Sequence, residues 1–182
     1  MREYTVAKSY DPFKLPLLCV ERSLNNTSLS STDFHPFEWK VPRHFLSQAT
    51  GEAIENGLLT KITIGSRPDS RSLTAIRLTF YNGRSETSSP LFGSFDQYKE
   101  VSLGVAVHRV TACYLGDQTC FLMLNRDVEL TFGAQLMDRA DEAEEVEYSL
   151  RHTQCIIGVY GVKIRVDSDV ILRFSFILNN DF

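Results

Sequence analysis

Apolar and polar residues alternate with a period of two along most of the chain after residue 57. The alternation is clearest over 61–64 and 73–81, and it is typical of strands that bury one face. The second segment ends at Asn82-Gly83, which is a strong hairpin signal. Further strands are predicted over 99–103, 106–115, 119–124, 128–132, 146–150, 155–160 and 170–178. Many short strands with frequent turn signals indicate an all-β sandwich, barrel or prism.

The pair Phe-Gly closes a predicted strand twice, at Phe92-Gly93 and at Phe132-Gly133. A strand and a turn precede each pair, and a third unit over 145–178 fits the same order of strand, strand, loop and strand. Such repetition is typical of architectures built from similar units. Three sheet-like units predict a three-sheet β-prism of antiparallel strands, so the predicted fold class is all-β.

Residues 1–57 follow a different pattern, and we predict an irregular N-terminal arm or cap with short strands. Prolines interrupt any long element in this segment, at Pro12, Pro16, Pro36 and Pro42. Its larger apolar side chains are Phe13, Leu15, Leu17, Leu18, Phe34, Phe37, Trp39, Phe45 and Leu46. These side chains are too many to remain in water. The arm is therefore expected to pack on the body, residues 58–182, or on a protein partner.

Composition limits the classes of protein that the chain can belong to. It has 182 residues, 43% of them hydrophobic and 23% charged, which is the size and balance of one globular domain. Its 19 Lys and Arg against 23 Asp and Glu give a net charge of -4, so the positive field that dominates nucleic-acid affinity is missing. We therefore expect no nucleic-acid partner.

Targeting signals are also missing from the sequence as written. No apolar run approaches the roughly 20 residues of a membrane helix, and the first residues lack the apolar segment of a signal peptide. The chain is therefore expected to be cytoplasmic and not to insert into a membrane. Secretion would require that an upstream signal has been removed, and an oligomer stays open as an alternative to a monomer.

The four cysteines are too sparse for a disulfide scaffold, and none forms a CxxC pair. Gly116-Asp117 lies between Cys113 and Cys120, and a two-residue turn there would set the two cysteines directly opposite each other across a hairpin. Two alternatives follow from this register. The cysteines form a local disulfide, or they are buried thiols that the cytosol keeps reduced.

The sequence contains no pattern that indicates catalysis. The four histidines are scattered without metal-ligand spacing. There is no GxSxG elbow, phosphate-binding loop or dinucleotide fingerprint, and no spacing that pairs a nucleophile with a base. We expect no enzyme activity, no metal and no cofactor.

Several stretches resemble the jacalin-type lectin domain, and together they cover about residues 58–178. They are Leu59-Thr-Lys-Ile-Thr-Ile64, Leu73-Thr-Ala-Ile-Arg-Leu-Thr-Phe-Tyr-Asn-Gly83, Ser89-Pro-Leu-Phe-Gly93 and Cys155-Ile-Ile-Gly-Val-Tyr-Gly161. The resemblance implies a β-prism that binds a glycan without catalysis. In members of the family that bind sugar, a Gly-x-x-x-Asp loop near the C-terminus supplies backbone N–H groups and a carboxylate to adjacent sugar hydroxyls.

The resemblance also implies the candidate sugar-binding residues. Asp169 corresponds to the acid of the C-terminal loop, with Asp167 beside it, but Arg165 stands where the family has glycine. A side chain there would occupy the space through which the ligand approaches. A literal Gly65-Ser-Arg-Pro-Asp69 occurs in the first unit, and it is the second candidate loop.

Two functions are consistent with these observations. The first is a carbohydrate-binding, lectin-like module without catalysis. The alternative is a structural or adaptor subunit that keeps the β-prism, has lost sugar binding and contacts a protein partner through the N-terminal arm. An open loop lined by backbone N–H groups and Asp169 would favour the lectin, and a loop filled by Arg165 would favour the adaptor.

Overall fold

A computed structural model describes residues 34–68, 72–115, 118–133, 143–166 and 169–179. These residues contain two short helices, α1 (Arg43–Ser47) and α2 (Gly51–Asn56), and one 3-10 turn, Val128–Leu130. Their strands are β1 (Phe34–Lys40), β2 (Leu59–Ser66), β3 (Leu73–Tyr81), β4 (Glu86–Ser88), β5 (Phe92–Gly93), β6 (Gln97–Ser102), β7 (Arg109–Leu115), β8 (Gln118–Leu124), β9 (Thr131–Gly133), β10 (Ala143–Ser149), β11 (Cys155–Val166) and β12 (Asp169–Asn179). Neither described helix is long and apolar enough to cross a membrane.

The strands form three antiparallel sheets. The first sheet has the order β1-β11-β12, the second β10-β7-β8-β9, and the third β4-β3-β2-β6, with β5 also paired to β3. The prediction of an all-β, three-sheet β-prism is therefore confirmed. Apolar side chains from all three sheets meet in one core, where Leu78, Leu124 and Phe176 are almost fully buried.

The two Phe-Gly pairs occupy matching places in two of the sheets. Phe92 pairs with Ile76 at the end of β5, and Phe132 pairs with Leu122 at the end of β9. The glycine that follows each phenylalanine has a positive φ, +87° at Gly93 and +80° at Gly133, and a Cβ on either would collide with a backbone carbonyl of the neighbouring strand. Only glycine fits there without strain.

The described part of the N-terminal segment joins the same core. β1 pairs with β11 along its whole length, and Phe37 stacks on Phe92 with ring centroids 4.5 Å apart. The Trp39 ring lies 5.8 Å from that of Phe80, and Phe45 of α1 is buried in the core. Residues 34–57 thus contribute one strand and two helices to the body, while residues 1–33 lie outside the described ranges.

The predicted direct opposition of Cys113 and Cys120 is wrong. Tyr114 pairs with Thr119, but the next pair is Cys113 with Phe121, so Cys120 is the extra residue of a β-bulge. Both cysteines are buried free thiols, and the disulfide alternative is not realised in the structure. Burial, together with nearby Glu145, raises the pKa of the Cys113 thiol.

Two side chains of the second sheet form hydrogen bonds with the backbone of β12, at the edge of β12 that faces away from β11. No described strand pairs with β12 on the side away from β11. There, the Tyr114 hydroxyl donates to the carbonyl oxygen of Phe174 at 2.8 Å, and the Phe174 N–H donates to Oγ1 of Thr119 at 3.1 Å. Both bonds are buried, so the hairpin β7–β8 takes the place of a further strand at this point.

Candidate functional site

The residues of the C-terminal candidate loop continue the strands instead of forming an open loop. β11 and β12 remain paired as far as Val166 and Asp169. Arg165 is exposed and pairs with Val170, while Asp167 lies outside the described residues. β-branched residues, Val166 in β11 and Val170 and Ile171 in β12, favour extended backbone on both strands. The backbone groups that such a loop would offer to a sugar are therefore used in strand pairing up to residues 166 and 169.

Gly65 of the other candidate loop lies within β2, between Ala75 of β3 and Tyr98 of β6. It is buried, and the side chain of Phe95 covers it so closely that a Cβ at this position would collide with Phe95. The glycine therefore makes room for Phe95. Asp69, at the other end of the motif, lies outside the described residues.

The described residues form a groove beside the ends of β2 and β3. It lies between these strands, β6 and β9, has a volume of about 220 Å³, and is lined by Ile64, Ser66, Leu73, Gln97, Tyr98, Lys99, Phe132 and Gly133. Ser66 and Leu73 are the strand residues on either side of the connection that contains Asp69. The groove is therefore lined by the described residues that flank this connection, and its lining includes no residue of β11 or β12.

Strand pairing sets the polar side chains of the groove on one face. Ser66 lies opposite Gln97, and Ile64 lies opposite Lys99, so these four side chains share a face, while Tyr98 is on the other face of β6. Ser66 is half-buried, whereas Gln97 and Lys99 are exposed. The hydroxyl of Ser66, the amide of Gln97 and the ammonium group of Lys99 thus line the groove together with apolar side chains. The apolar lining residues are Ile64, Leu73 and Phe132, and they are called the apolar floor below.

Two contacts fix the walls of the groove. The Lys99 ammonium donates to the carbonyl oxygen of Thr131 at 2.7 Å and lies 5.3 Å from the centre of the Phe132 ring, so it connects β6 to β9 and is stabilised by the ring. Next to Ser66 in the chain, Arg67 donates to Oγ of Ser94 at 3.0 Å. This bond ties the chain that leaves β2 to the loop that precedes β6.

The lining of the groove combines polar and apolar groups. Ser66 and Gln97 each offer a donor and an acceptor, and the apolar floor can contact the carbon atoms of a ligand. Among the described residues, no group of three or more His, Cys, Asp or Glu side chains could hold a metal ion. Sequence reasoning missed Ser66, Gln97 and Lys99, because only the pairing of β2 with β6 brings them together.

The chain is similar to known proteins in its fold but not in its sequence. No protein-family model matches the chain, and no curated protein matches it significantly. Among solved structures it is similar to a prostate-specific WGA16 glycoprotein lectin, with a TM-score of 0.56, 12% identity, and coverage of 84% of this chain and 96% of that chain. This likeness shows a shared fold.

Two further solved structures are of plant proteins. Calystegia sepium agglutinin aligns with a TM-score of 0.48 and 11% identity, over 81% of this chain and 89% of that one. A mannose binding jacalin related lectin from Ananas comosus aligns with a TM-score of 0.44 and 16% identity, over 81% and 99%. The three antiparallel sheets of the present chain form a β-prism.

Proposed function

We propose that this protein is a lectin-like module that binds carbohydrate without catalysis, and that the sugar occupies the groove between β2, β3, β6 and β9. The observation that supports the proposal most is the mixed lining of that groove, in which Ser66, Gln97 and Lys99 share one face above an apolar floor. The shared fold with a lectin is consistent with it.

The residues of the groove suit a polyol better than an apolar ligand. A sugar presents adjacent hydroxyls, each of which is both donor and acceptor, and the hydroxyl of Ser66 and the amide of Gln97 match both roles. Lys99 adds donors only. Asp69, which follows Ser66 by three positions, would supply the carboxylate acceptor, the role that the family resemblance implies.

A glycan array followed by calorimetric titration of the best ligand tests the proposal. Gln97→Ala is expected to weaken binding by up to about tenfold, which is the usual net value of a hydrogen bond, and Asp69→Asn is expected to weaken it further because a charged acceptor is lost. Tyr81→Ala is the matched control, since Tyr81 is 45% exposed at the far end of β3. Unchanged affinity in both Gln97→Ala and Asp69→Asn would refute this site.

The adaptor function is the second candidate, and the β11–β12 hairpin favours it. Because Val166 and Asp169 are paired, no wide loop is left for a sugar at the position that the resemblance implies. On this view a protein partner binds through the N-terminal arm. Absence of any array ligand for a protein that is shown to be folded would favour the adaptor, whereas a ligand lost on mutation of Gln97 would exclude it.

A further inference from the structure

An exposed aromatic side chain adjoins the groove. Tyr98 contributes to the lining of the groove and is 60% exposed, against 45% for Tyr81. Its side chain leaves the face of β6 opposite to that of Gln97 and Lys99. Because β6 is the last described strand of its sheet, the groove and the outer face of the sheet meet along this strand. A ligand that extends from the groove across β6 therefore reaches the Tyr98 ring.

Neighbouring residues hold the Tyr98 ring in place. The ring centroid of Phe95 lies 5.1 Å from that of Tyr98, with an angle of 60° between the planes, which is a favourable edge-on geometry. Phe95 is half-buried and packs on Gly65, where an added Cβ would collide with it. Gly65 lies directly opposite Tyr98 in the pairing of β2 with β6. The absence of a side chain at Gly65 thus makes room for Phe95, and Phe95 supports the Tyr98 ring from one side.

Charged groups lie on the same face as the ring. Glu100 follows Tyr98 by two positions in β6 and shares its face, and its carboxylate lies 3.3 Å from the Lys61 ammonium group. Both side chains are partly exposed, so they offer acceptors and donors to hydroxyl groups. A sugar ring has C–H groups on its faces and hydroxyls around its edge, which suits an aromatic ring beside an ion pair. A purely apolar ligand would cover these charges without binding them, which costs free energy.

We propose that Tyr98 binds a second sugar unit, so that the protein recognises an oligosaccharide and not a single monosaccharide. The inference rests on the proposed function: one unit occupies the groove at Ser66 and Gln97, and the next unit crosses β6 and stacks on Tyr98. The positively polarised C–H groups of that unit contact the negative face of the aromatic ring. A tyrosine has only two side-chain torsions to fix, and Phe95 already restricts them, so little conformational entropy is lost on binding.

Calorimetric titrations of the full chain test this proposal with two kinds of probe. These are the oligosaccharide that binds best on the glycan array and the methyl glycosides of its separate monosaccharides. Tyr98→Ala is expected to weaken oligosaccharide binding by about two- to tenfold, which is the range that aromatic contacts contribute, and to leave monosaccharide binding unchanged. Tyr98→Phe is the matched control and should bind both probes like the wild type. Phe95→Ala removes the support of the ring and should weaken oligosaccharide binding alone.

Several results would overturn the role of Tyr98. Tyr98→Ala could bind the oligosaccharide as tightly as the wild type, or lose affinity equally for both probes, which would place the ring in the monosaccharide site. A wild-type protein that binds a monosaccharide as tightly as the oligosaccharide would also contradict a second unit. If Gln97→Ala still weakens binding in these cases, the proposed function stands without this inference. If the wild-type protein binds neither probe, both fail together.

Discussion

The substitution Tyr114→Phe tests how much the hydrogen bond between the second sheet and β12 contributes to stability. In Tyr114→Phe the carbonyl oxygen of Phe174 loses its donor, because the bond at 2.8 Å comes from the Tyr114 hydroxyl. The ring remains, and with it the face that the Arg173 guanidinium contacts. Burial raises the pKa of Tyr114, so the hydroxyl of the wild-type protein stays protonated and donating throughout the neutral range. The substitution therefore removes the hydrogen bonds of the hydroxyl, to the carbonyl oxygen of Phe174 and to the side chain of Ser175, and leaves the ring in place.

A buried carbonyl left without a partner costs about 1 to 3 kcal/mol. For a protein of this length each kcal/mol corresponds to a change in Tm of roughly 2 to 4 °C, so a fall of several degrees is expected in calorimetry and a matching fall in urea. Tyr81→Phe is the control, since Tyr81 is 45% exposed and a surface substitution changes stability by only about 0.5 kcal/mol. A Tyr114→Phe protein as stable as this control would refute the role assigned to the hydroxyl.

Two further predictions concern a glycine and a glutamate. Gly133→Ala should destabilise the protein by about 1 to 3 kcal/mol in a urea titration, because the φ of Gly133 is +80° and a Cβ there would meet the carbonyl oxygen of Cys120. Gly104→Ala is the control. No atom lies within 4 Å of its added Cβ, so its stability should be close to that of the wild type. Hydrogen bonds from Arg126 and Arg109 lower the pKa of Glu147. A lowered pKa stabilises the folded state above the usual value of 4.5, and this contribution is lost as the pH falls through the folded-state pKa. Glu147→Gln should therefore reduce the loss of stability in acid. Identical profiles of the free energy of unfolding against pH for the wild type and the variant would contradict this.

The alternation of apolar and polar residues predicted β3 well, since the segment 73–81 coincides with Leu73–Tyr81. Burial does not alternate along this strand: only Arg77 and Tyr81 are exposed, so both of its faces are largely covered. The sequence predicts short strands in the N-terminal arm but not the position of β1, since Pro36 interrupts its pattern. In the structure β1 is an edge strand, where a residue without an N–H is tolerated.

The candidate site was less predictable than the fold. The register of β7 with β8 depends on a bulge at Cys120, and no residue type marks that bulge in the sequence. The extension of β11 to Val166 removed the open loop that the family resemblance implied at Asp169. Ser66 and Gln97 are far apart in the chain and meet only through the pairing of β2 with β6.

An NMR titration of the 15N-labelled protein with the best array glycan tests the central proposal most directly. If the groove binds the sugar, the backbone amides of Ser66, Gln97 and Lys99 should shift in a saturable manner, and those of Arg165 and Val170 at the end of the β11–β12 hairpin should not. Saturable shifts confined to that hairpin, or no shift at any glycan concentration, would contradict the proposal that this groove is the carbohydrate site.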